Sequence, residues 1–211
     1  MQEMHRLLIA TTNPAKLEEA RAVLSGESIT LLAPKDFSDI EVVAETGATF
    51  EENAILKAKG YFAQTGVPCV ADDAGLMVDY LNGAPGVASR RWLNRPDPQG
   101  LGHEATDQEL VNAVTERLKG IPEHKRTARM GGYIAFWDGH TLLTSQNWIE
   151  GYITEHHIGE IQPGFPYRGI LMIPKFGKVY GALTEAEHAE VNFRRKNLNA
   201  LKPEILRHLR V

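Results

Sequence analysis

The most informative stretch of the sequence is Val67-Pro68-Cys69-Val70-Ala71-Asp72-Asp73-Ala74-Gly75-Leu76-Met77-Val78. The apolar run 67–71 predicts a buried strand that delivers two adjacent aspartates before the apolar pattern resumes at Leu76. Ligands of α/β proteins gather at the carboxyl ends of such strands. Asp72 and Asp73 therefore indicate either a magnesium site, because Mg²⁺ prefers hard oxygen ligands and bridges to phosphates, or an Asp-rich turn that caps backbone N–H groups.

The segment nearest the N-terminus predicts a strand, a turn and a helix. The apolar run 7–10 leads into Thr11-Thr12-Asn13-Pro14, after which Leu17, Ala20, Val23 and Leu24 recur at helical spacing. A helix N-terminus with hydroxyls and Lys16 nearby suits a phosphate group. The alternative from these residues alone is an ordinary capped helix with Pro14 in its first turn and an exposed lysine.

A second predicted helix follows Glu45-Thr46-Gly47. Thr49 and Glu52 have the spacing of a capping box. Glu52 and Lys57 lie about 140° apart on an ideal helix, so one site could use both only by wrapping around the helix. The spacing alone favours an exposed charged face.

Two loops offer further candidate ligand-binding groups. The Gly/Pro loop 83–92 ends in Arg90-Arg91-Trp92, and a guanidinium such as that of Arg91 can clamp phosphate or form a surface ion pair. The loop 164–169 combines glycine, proline and aromatic side chains. Such a loop can hold a purine by stacking or can pack onto the sheet.

The remaining pattern predicts regular elements. We expect an amphipathic helix over 107–119, an antiparallel hairpin of strands 128–137 and 141–151 with a turn at Asp138-Gly139, a strand over 170–173, and a terminal helix from Thr184 to about Leu209, interrupted at Pro203. The sequence has no P-loop and no Gly-x-Gly-x-x-Gly fingerprint.

Composition excludes several classes of protein. The 211 residues are 43% hydrophobic and 24% charged, which is typical of a globular chain, and the formal net charge of -4 gives no support for broad binding to a nucleic acid polymer or an anionic membrane. Cys69 is the single cysteine, so a reducing, cytoplasmic setting is expected. No stretch approaches the roughly 20 apolar residues that span a bilayer.

Four ordered motifs together resemble the Ham1/inosine triphosphate pyrophosphatase family over nearly the whole chain. They are Thr-Thr-Asn-Pro-Ala-Lys (11–16), Glu-Thr-Gly-Ala-Thr-Phe-Glu-Glu-Asn-Ala-Ile-Leu-Lys-Ala (45–58), Ala-Asp-Asp-Ala-Gly-Leu (71–76) and Gly-Ala-Pro-Gly-Val-Ala-Ser-Arg-Arg-Trp (83–92). The resemblance implies one nucleotide pyrophosphatase domain over 1–211 with an elongated mixed α/β fold, in which two lobes flank a central cleft. It also implies a homodimer that hydrolyses ITP, dITP and XTP to the monophosphate and pyrophosphate.

The resemblance also implies roles for individual residues. Glu45 and Asp73 would bind Mg²⁺, and Asp73 would also be the general base, with Asp72 as a supporting carboxylate. The residues implied to hold the triphosphate are Thr11, Thr12, Asn13, Pro14, Ala15 and Lys16, with Lys57 adding charge to that site. Ala74 and Arg91 are implied to contact the substrate. Those implied to contact the base are Phe165, Pro166, Tyr167, Arg168, His188, Phe193 and Arg194.

The segments implied to recognise the base depart from the family. The usual Gly-Phe-Gly-Tyr-Asp-Pro is replaced by 164–169, in which Arg168 stands where the family has an aspartate. The usual Ser-His-Arg is Asn192-Phe193-Arg194, the expected lysine is His188, and the serine of Asp-Asp-Ser-Gly-Leu is Ala74. Because a cation replaces an acceptor, we expect an altered base specificity.

Two alternatives to an active enzyme remain. A nucleotide-binding or regulatory descendant would keep the metal and phosphate contacts without useful turnover. A generic α/β domain would use the Asp-Asp pair and the lysines structurally, which requires four ordered motifs to coincide by chance.

Overall fold

A mixed sheet flanked by helices runs through the computed structural model, which describes residues 5–25, 28–93 and 105–209, apart from the side chains of Arg90 and Arg91. The strands within these residues are β1 (His5–Ile9), β2 (Ile29–Leu32), β3 (Cys69–Val78), β4 (Thr127–Trp137), β5 (Leu142–Ile153), β6 (Leu171–Ile173) and β7 (Lys178–Val179). The helices are α1 (Pro14–Leu24), α2 (Phe50–Thr65), α3 (Asp107–Arg117), α4 (Glu185–Val191) and α5 (Phe193–Leu209).

The strand order in the described part of the chain is β2-β1-β3-β4-β5-β6-β7. Strand β1 is parallel to both neighbours, with Leu7 opposite Leu31 and Ile9 opposite Val70. Strand β6 is antiparallel to β5 and β7. This mixed sheet with flanking helices confirms the predicted α/β class, whereas the cleft stays a prediction.

Packing divides the chain into two compact units. Unit 1 comprises Met1–Ala74, Gly131–Asn147 and Asn192–Val211, and unit 2 comprises Gly75–Met130 and Trp148–Val191. The single domain over 1–211 stays a prediction, and the units are described separately below.

Unit 1 is a layered α/β structure. Alternate residues of β1 enter two different cores, because successive side chains of a strand point to opposite faces. Leu7 packs with residues of α1 and α5, including Leu17 and Leu198, and Leu8 packs with α2 residues such as Ala54. Helices therefore cover both faces of the parallel strands, which explains why three consecutive residues of β1, Leu7, Leu8 and Ile9, are all apolar and buried.

Unit 2 contains α3, α4, β6 and β7. Its segment 164–169 is tied to the start of α3, because the Gly164 N–H donates to Asp107 Oδ2 at 2.7 Å. Residues 166–169 form a short 3₁₀ helix in which Tyr167 is buried. This segment is therefore held by both its backbone and its side chains.

Two predictions of local structure were wrong. Asp72–Gly75 do not form a turn, because β3 continues through them to Val78 after its parallel partner β1 has ended at Ile9. The terminal helix breaks at Asn192 rather than at Pro203, which lies inside α5. The Asn192 side-chain oxygen accepts from the Arg195 N–H at 3.0 Å, as an N-cap residue does, and so starts a new helix.

Candidate active site

The start of α1 is a capped helix N-terminus that projects Lys16 from its first turn. Asn13 Oδ1 accepts from the Ala15 N–H at 3.0 Å, and Thr11 Oγ1 accepts from the Asn13 N–H at 3.1 Å. Pro14, which has no N–H, occupies the first helical position. The predicted cap and the position of Pro14 are confirmed, whereas the exposed lysine is wrong, because Lys16 is half-buried and paired with Asp72. This end of α1 still carries the positive partial charge that favours an anion.

Asp72 lies at the centre of a buried ion network in unit 1. Its Oδ2 is 3.1 Å from Lys16 Nζ and accepts from Arg194 Nε at 3.1 Å and Nη2 at 3.0 Å. The other side of the Arg194 guanidinium donates to Glu19, which also accepts from Asn192 Nδ2 at 3.2 Å. Arg194 is 5% exposed, so both carboxylates are paired with a charge that water hardly reaches.

The charges of this network shift the pKa values of its members. Burial by itself would raise the pKa of Asp72, but Lys16, Arg194 and Lys57 outweigh it and hold that pKa well below its usual range. Burial and the neighbouring cations lower the pKa of Lys16, an effect that Asp72 partly offsets. Asp72 is therefore a fixed anion that orients Lys16.

Asp73 is held by an asparagine and a lysine, both from α2. Its Oδ2 accepts from Asn53 Nδ2 at 3.1 Å, and its Oδ1 is 3.6 Å from Lys57 Nζ. Lys57 Nζ also lies 2.8 Å from Glu45 Oε1. Lys57 is 8% exposed, so the exposed charged face favoured by its helical spacing is wrong for this residue.

The surroundings of Asp73 favour its neutral form more than water does. Burial, Glu45 and Asp72 together outweigh Lys57 and Asn53 and raise the pKa of Asp73 to about 6. Lys57 behaves in the opposite way: burial would lower its pKa, but Asp72, Asp73 and Glu45 raise it. Asp73 is therefore a carboxylate that can accept a proton near neutral pH.

The segment that carries Glu45 is fixed against the first turn of α2. Asn53 Oδ1 accepts from the Gly47 N–H at 2.8 Å, and a Cβ on Gly47 would lie 2.6 Å from Glu52 Cβ. Thr49 and Glu52 form the predicted capping box. Glu52 thus serves the helix end, and Asn53 links the Glu45 segment to Asp73.

Strand β4 approaches Asp73 and Ala74 through a glycine. A Cβ added at Gly132 would lie 2.1 Å from the Asp73 carbonyl oxygen and 2.6 Å from Ala74 Cα. The close approach is possible because glycine has no side chain there. Gly132 therefore permits the backbone arrangement that presents both aspartates.

These residues form the charged cluster of unit 1. Three cations and four carboxylates belong to it. They are Lys16, Glu19, Glu45, Lys57, Asp72, Asp73 and Arg194. Among residues 5–25, 28–93 and 105–209, no three His, Cys, Asp or Glu side chains are grouped as a metal site.

Unit 2 brings three predicted residues, Phe165, Arg168 and His188, together with Tyr180. These four residues form the aromatic cluster. The Arg168 guanidinium carbon lies 3.8 Å from the centre of the Phe165 ring and 5.4 Å from that of Tyr180. Tyr180 in turn meets the His188 ring edge to face, with their centres 4.6 Å apart. Arg168 Nη1 donates to Gln162 Oε1 at 3.2 Å.

Other predicted base-contacting residues lie elsewhere. Pro166 and Tyr167 are buried in unit 2, and the Tyr167 hydroxyl is 3.5 Å from Ser89 Oγ. Phe193, in unit 1, is buried with its ring 5.0 Å from the guanidinium carbon of Arg194. The side chain of Arg91 lies outside the described residues. The roles assigned to all of these residues stay predictions.

Sequence reasoning missed Glu19 and Tyr180 as members of these clusters, and it missed Asn53 and Asn192 as hydrogen-bond partners of Asp73 and Glu19. Only Asn53 carried a local signal, because an asparagine inside a helix needs a hydrogen-bonding partner when it is buried. Its side chain is 0% exposed.

Comparisons with known proteins identify the family of this chain. The model of the Ham1 family matches residues 7–204. The chain belongs to the Ham1 family. It is 35% identical over 202 residues to the dITP/XTP pyrophosphatase of Vibrio parahaemolyticus, covering 94% of this chain and 95% of that protein. The dITP/XTP pyrophosphatase of Shigella flexneri is also 35% identical, covering 94% of this chain and 96% of that protein.

Solved Ham1 structures share the fold. The Ham1 protein of Staphylococcus aureus superposes with a TM-score of 0.80 at 25% identity, covering 96% of this chain and 99% of that one. A HAM1 protein from Coxiella burnetii superposes with a TM-score of 0.78 at 31% identity, covering 97% of this chain and 100% of that one. No helix in the described ranges of this Ham1 chain is long and apolar enough to cross a bilayer.

Proposed function

We propose that this Ham1-family chain hydrolyses nucleoside triphosphates to the monophosphate and pyrophosphate, using the charged cluster of unit 1. The observation that carries the proposal is the position of Asp73, a half-buried carboxylate with a raised pKa, beside Lys57 and adjacent in β3 to Asp72, which holds Lys16. The names of two relatives of this chain, both dITP/XTP pyrophosphatases, support the same proposal.

Asp73 is proposed to act on water. A general base must be ionised at the operating pH and must still bind a proton well enough to remove it from the nucleophile. With a pKa of about 6, most Asp73 carboxylates are ionised at pH 7. Water deprotonated at Asp73 would attack the α-phosphorus in line with the departing pyrophosphate, and Asn53 would keep the carboxylate oriented.

The two lysines are proposed to hold the triphosphate. Lys16 stands in the first turn of α1, where the helix end also favours an anion, and Lys57 lies beside the proposed base. Phosphate oxygens would take these ammonium groups as partners and would thereby bring the reacting phosphorus to Asp73. The segment 11–15 and Ala74 would supply the neighbouring contacts.

A divalent cation, proposed as Mg²⁺, fits Glu45 and Asp73. Both carboxylates already face one cation, the Lys57 ammonium, so their oxygens converge on a position suited to positive charge. Two protein carboxylates with nucleotide oxygens and water are a common Mg²⁺ environment. Bound there, Mg²⁺ would offset phosphate charge and acidify water. The cluster itself could not supply that charge, because its three cations already face four carboxylates.

The base is proposed to be a deaminated purine, as in dITP and XTP, with a preference altered by Arg168. The aromatic cluster presents guanidinium donors where the family has a carboxylate acceptor, and the Phe165 ring that could stack on a base is covered on one face by that guanidinium. Donors and acceptors that no longer match a base edge discriminate strongly. A homodimer and a cytoplasmic setting belong to the same proposal.

Pyrophosphate release tests the function. The protein is supplied with Mg²⁺ and a panel of ITP, dITP, XTP, the canonical triphosphates and modified nucleotides, with Asp73→Asn as the control. We expect selective release that the variant lacks. Nucleotide binding without release for any member of the panel would overturn the enzymatic proposal in favour of a binding protein.

A further inference from the structure

We propose that Lys57 fills the cation position between Glu45 and Asp73 in the nucleotide-free protein and leaves it when a triphosphate binds. This inference rests on the proposed function, since it concerns the proposed metal ligands. It predicts that the free protein binds divalent cations weakly and that nucleotide and cation favour each other's binding.

The position of the ammonium is the first step. Lys57 Nζ is 2.8 Å from Glu45 Oε1 and 3.6 Å from Asp73 Oδ1. The lysine is 8% exposed, so these carboxylates rather than water are its main partners. Lys57 therefore forms a bridge between a loop residue and a strand residue, at the point where the two carboxylates converge.

The rest of the site keeps the bridge in place. Asn53 Nδ2 holds the second oxygen of Asp73 at 3.1 Å, and Asn53 Oδ1 anchors Gly47, two residues after Glu45. Neither carboxylate is therefore free to turn away from Lys57 without breaking a hydrogen bond or shifting a packed loop. A second cation on the same oxygens must displace the ammonium.

Displacing the Lys57 ammonium from the two carboxylates is much less favourable in the free protein than in the complex with a triphosphate. An ammonium removed from its carboxylates inside the protein loses its counter-charges, which is a strongly unfavourable state. A triphosphate beside Lys57 supplies new oxygens for the same ammonium. Each ligand therefore lowers the cost of binding the other, and this coupling is reciprocal.

Lys16 provides a matched control. It is also a lysine of the charged cluster, but its Nζ lies 3.1 Å from Asp72 Oδ2, and Asp72 is further paired with Arg194. Neutralising Lys16 removes the same charge from unit 1 without vacating the bridge between Glu45 and Asp73. A difference in Mn²⁺ affinity between the two lysine variants therefore reports direct competition for the oxygens of Glu45 and Asp73, rather than a general change in the electrostatic potential of the site.

The test measures Mn²⁺ binding to nucleotide-free protein, from the electron paramagnetic resonance signal of free Mn²⁺. Lys57→Met is expected to bind Mn²⁺ at least about tenfold more tightly than the unaltered protein, because a charge in direct contact with the ligands is gone. Lys16→Met should show less than half of that gain on a logarithmic scale. Lys57→Arg keeps the charge and should stay near the unaltered protein.

Folding and turnover are followed in parallel. Thermal unfolding shows whether each variant is folded. Lys57→Gln repeats the Mn²⁺-binding measurement with a different neutral side chain. The inference is overturned if both neutral variants bind Mn²⁺ no more tightly than Lys16→Met, or if Lys57→Arg gains as much as Lys57→Met. Tighter Mn²⁺ binding by the neutral variants, together with an unaltered protein that releases no pyrophosphate from any nucleotide, would support this inference and contradict the proposed function alone.

Discussion

The charged cluster of unit 1 and the aromatic cluster of unit 2 hold their functional groups by different means. In the charged cluster of unit 1, each of the three cations contacts at least one carboxylate, and Asp72 by itself pairs with Lys16 of α1 and Arg194 of α5. In unit 2, Arg168 rests on the faces of two aromatic rings and donates to an exposed glutamine. Removing one member of an ion pair inside a protein is strongly destabilising, whereas the cation–π contacts of the half-buried Arg168 contribute less.

The same contrast appears in the sequence. The residues of the charged cluster that carry the proposed chemistry match the family motifs, while Arg168 and His188 depart from them. An interlocked set of charges tolerates few substitutions, because each change leaves another buried charge unpaired. The aromatic cluster can change one member without unpairing a buried ion, which is consistent with the proposal that Arg168 alters the base preference.

The largest expected effect is on Asp73. Asp73→Asn keeps the shape and an acceptor for Asn53 but removes the proposed base, so the kcat for pyrophosphate release should fall by about 10²- to 10⁴-fold. Asp138→Asn, a carboxylate of unit 1 outside the charged cluster, is the control and should keep its turnover. An Asp73→Asn protein that is folded and retains most of its activity would contradict the assignment.

Arg194 tests the interlocking of charges in unit 1. Arg194→Met leaves Asp72 and Glu19 without their shared guanidinium, and the free energy of unfolding should fall by about 3–5 kcal/mol. Urea denaturation measures it. The double variant with Glu19→Gln should recover part of the loss, because it removes one of the two unpaired charges. A loss below about 1 kcal/mol for Arg194→Met would show that the network is not tightly coupled.

Arg168 tests the aromatic cluster. Arg168→Asp restores the acceptor that the family has at this position, and the ratio of kcat/KM for ITP to that for GTP should change by about tenfold or more. Arg168→Gln removes the charge without adding a carboxylate and should have a smaller effect. An unchanged ratio in both variants would remove Arg168 from base recognition.

The smallest expected effect concerns acid stability at Asp138. Burial opposes its ionisation, but the N–H groups of Thr141 and His140 donate to Oδ1 and, with His208 nearby, lower the pKa from its usual 3.8. A lowered pKa in the folded state adds stability above the unfolded value, and that stability is lost as the pH falls through the folded value.

Asp138→Asn should therefore be less stable than the unaltered protein at pH 6, and the difference should shrink as the pH falls below about 4. Thermal unfolding across this pH range measures it. A difference that grows towards low pH would reverse the sign of the argument.

Local sequence patterns predicted much of unit 1. Apolar spacing located β1 and α1, and the Thr49 and Glu52 pair marked the start of α2. The same reasoning failed at Asp72–Gly75, because whether a strand continues depends on β4, which reaches it through Gly132 from far along the chain.

The partners inside the clusters could not be predicted in the same way. Glu19 and Arg194 are 175 positions apart and meet because α1 and α5 pack together on one face of the sheet. Lys57 looked exposed from helical spacing, since that spacing cannot show that Glu45 and Asp73 lie against it. The family resemblance supplied expected roles for Glu45, Lys57, Asp73 and Arg194, whereas Glu19, Asn53 and Tyr180 became apparent only in the structure.

The most direct test of the division between the two clusters is the kcat/KM of Lys16→Met and Arg168→Asp across ITP, XTP, GTP and ATP, compared with the unaltered protein. Lys16 would contact the triphosphate that all four share, so its loss should lower every value by a similar factor. Arg168→Asp should change the values unequally and reorder the bases. A base-dependent effect of Lys16→Met together with a uniform effect of Arg168→Asp would contradict the account.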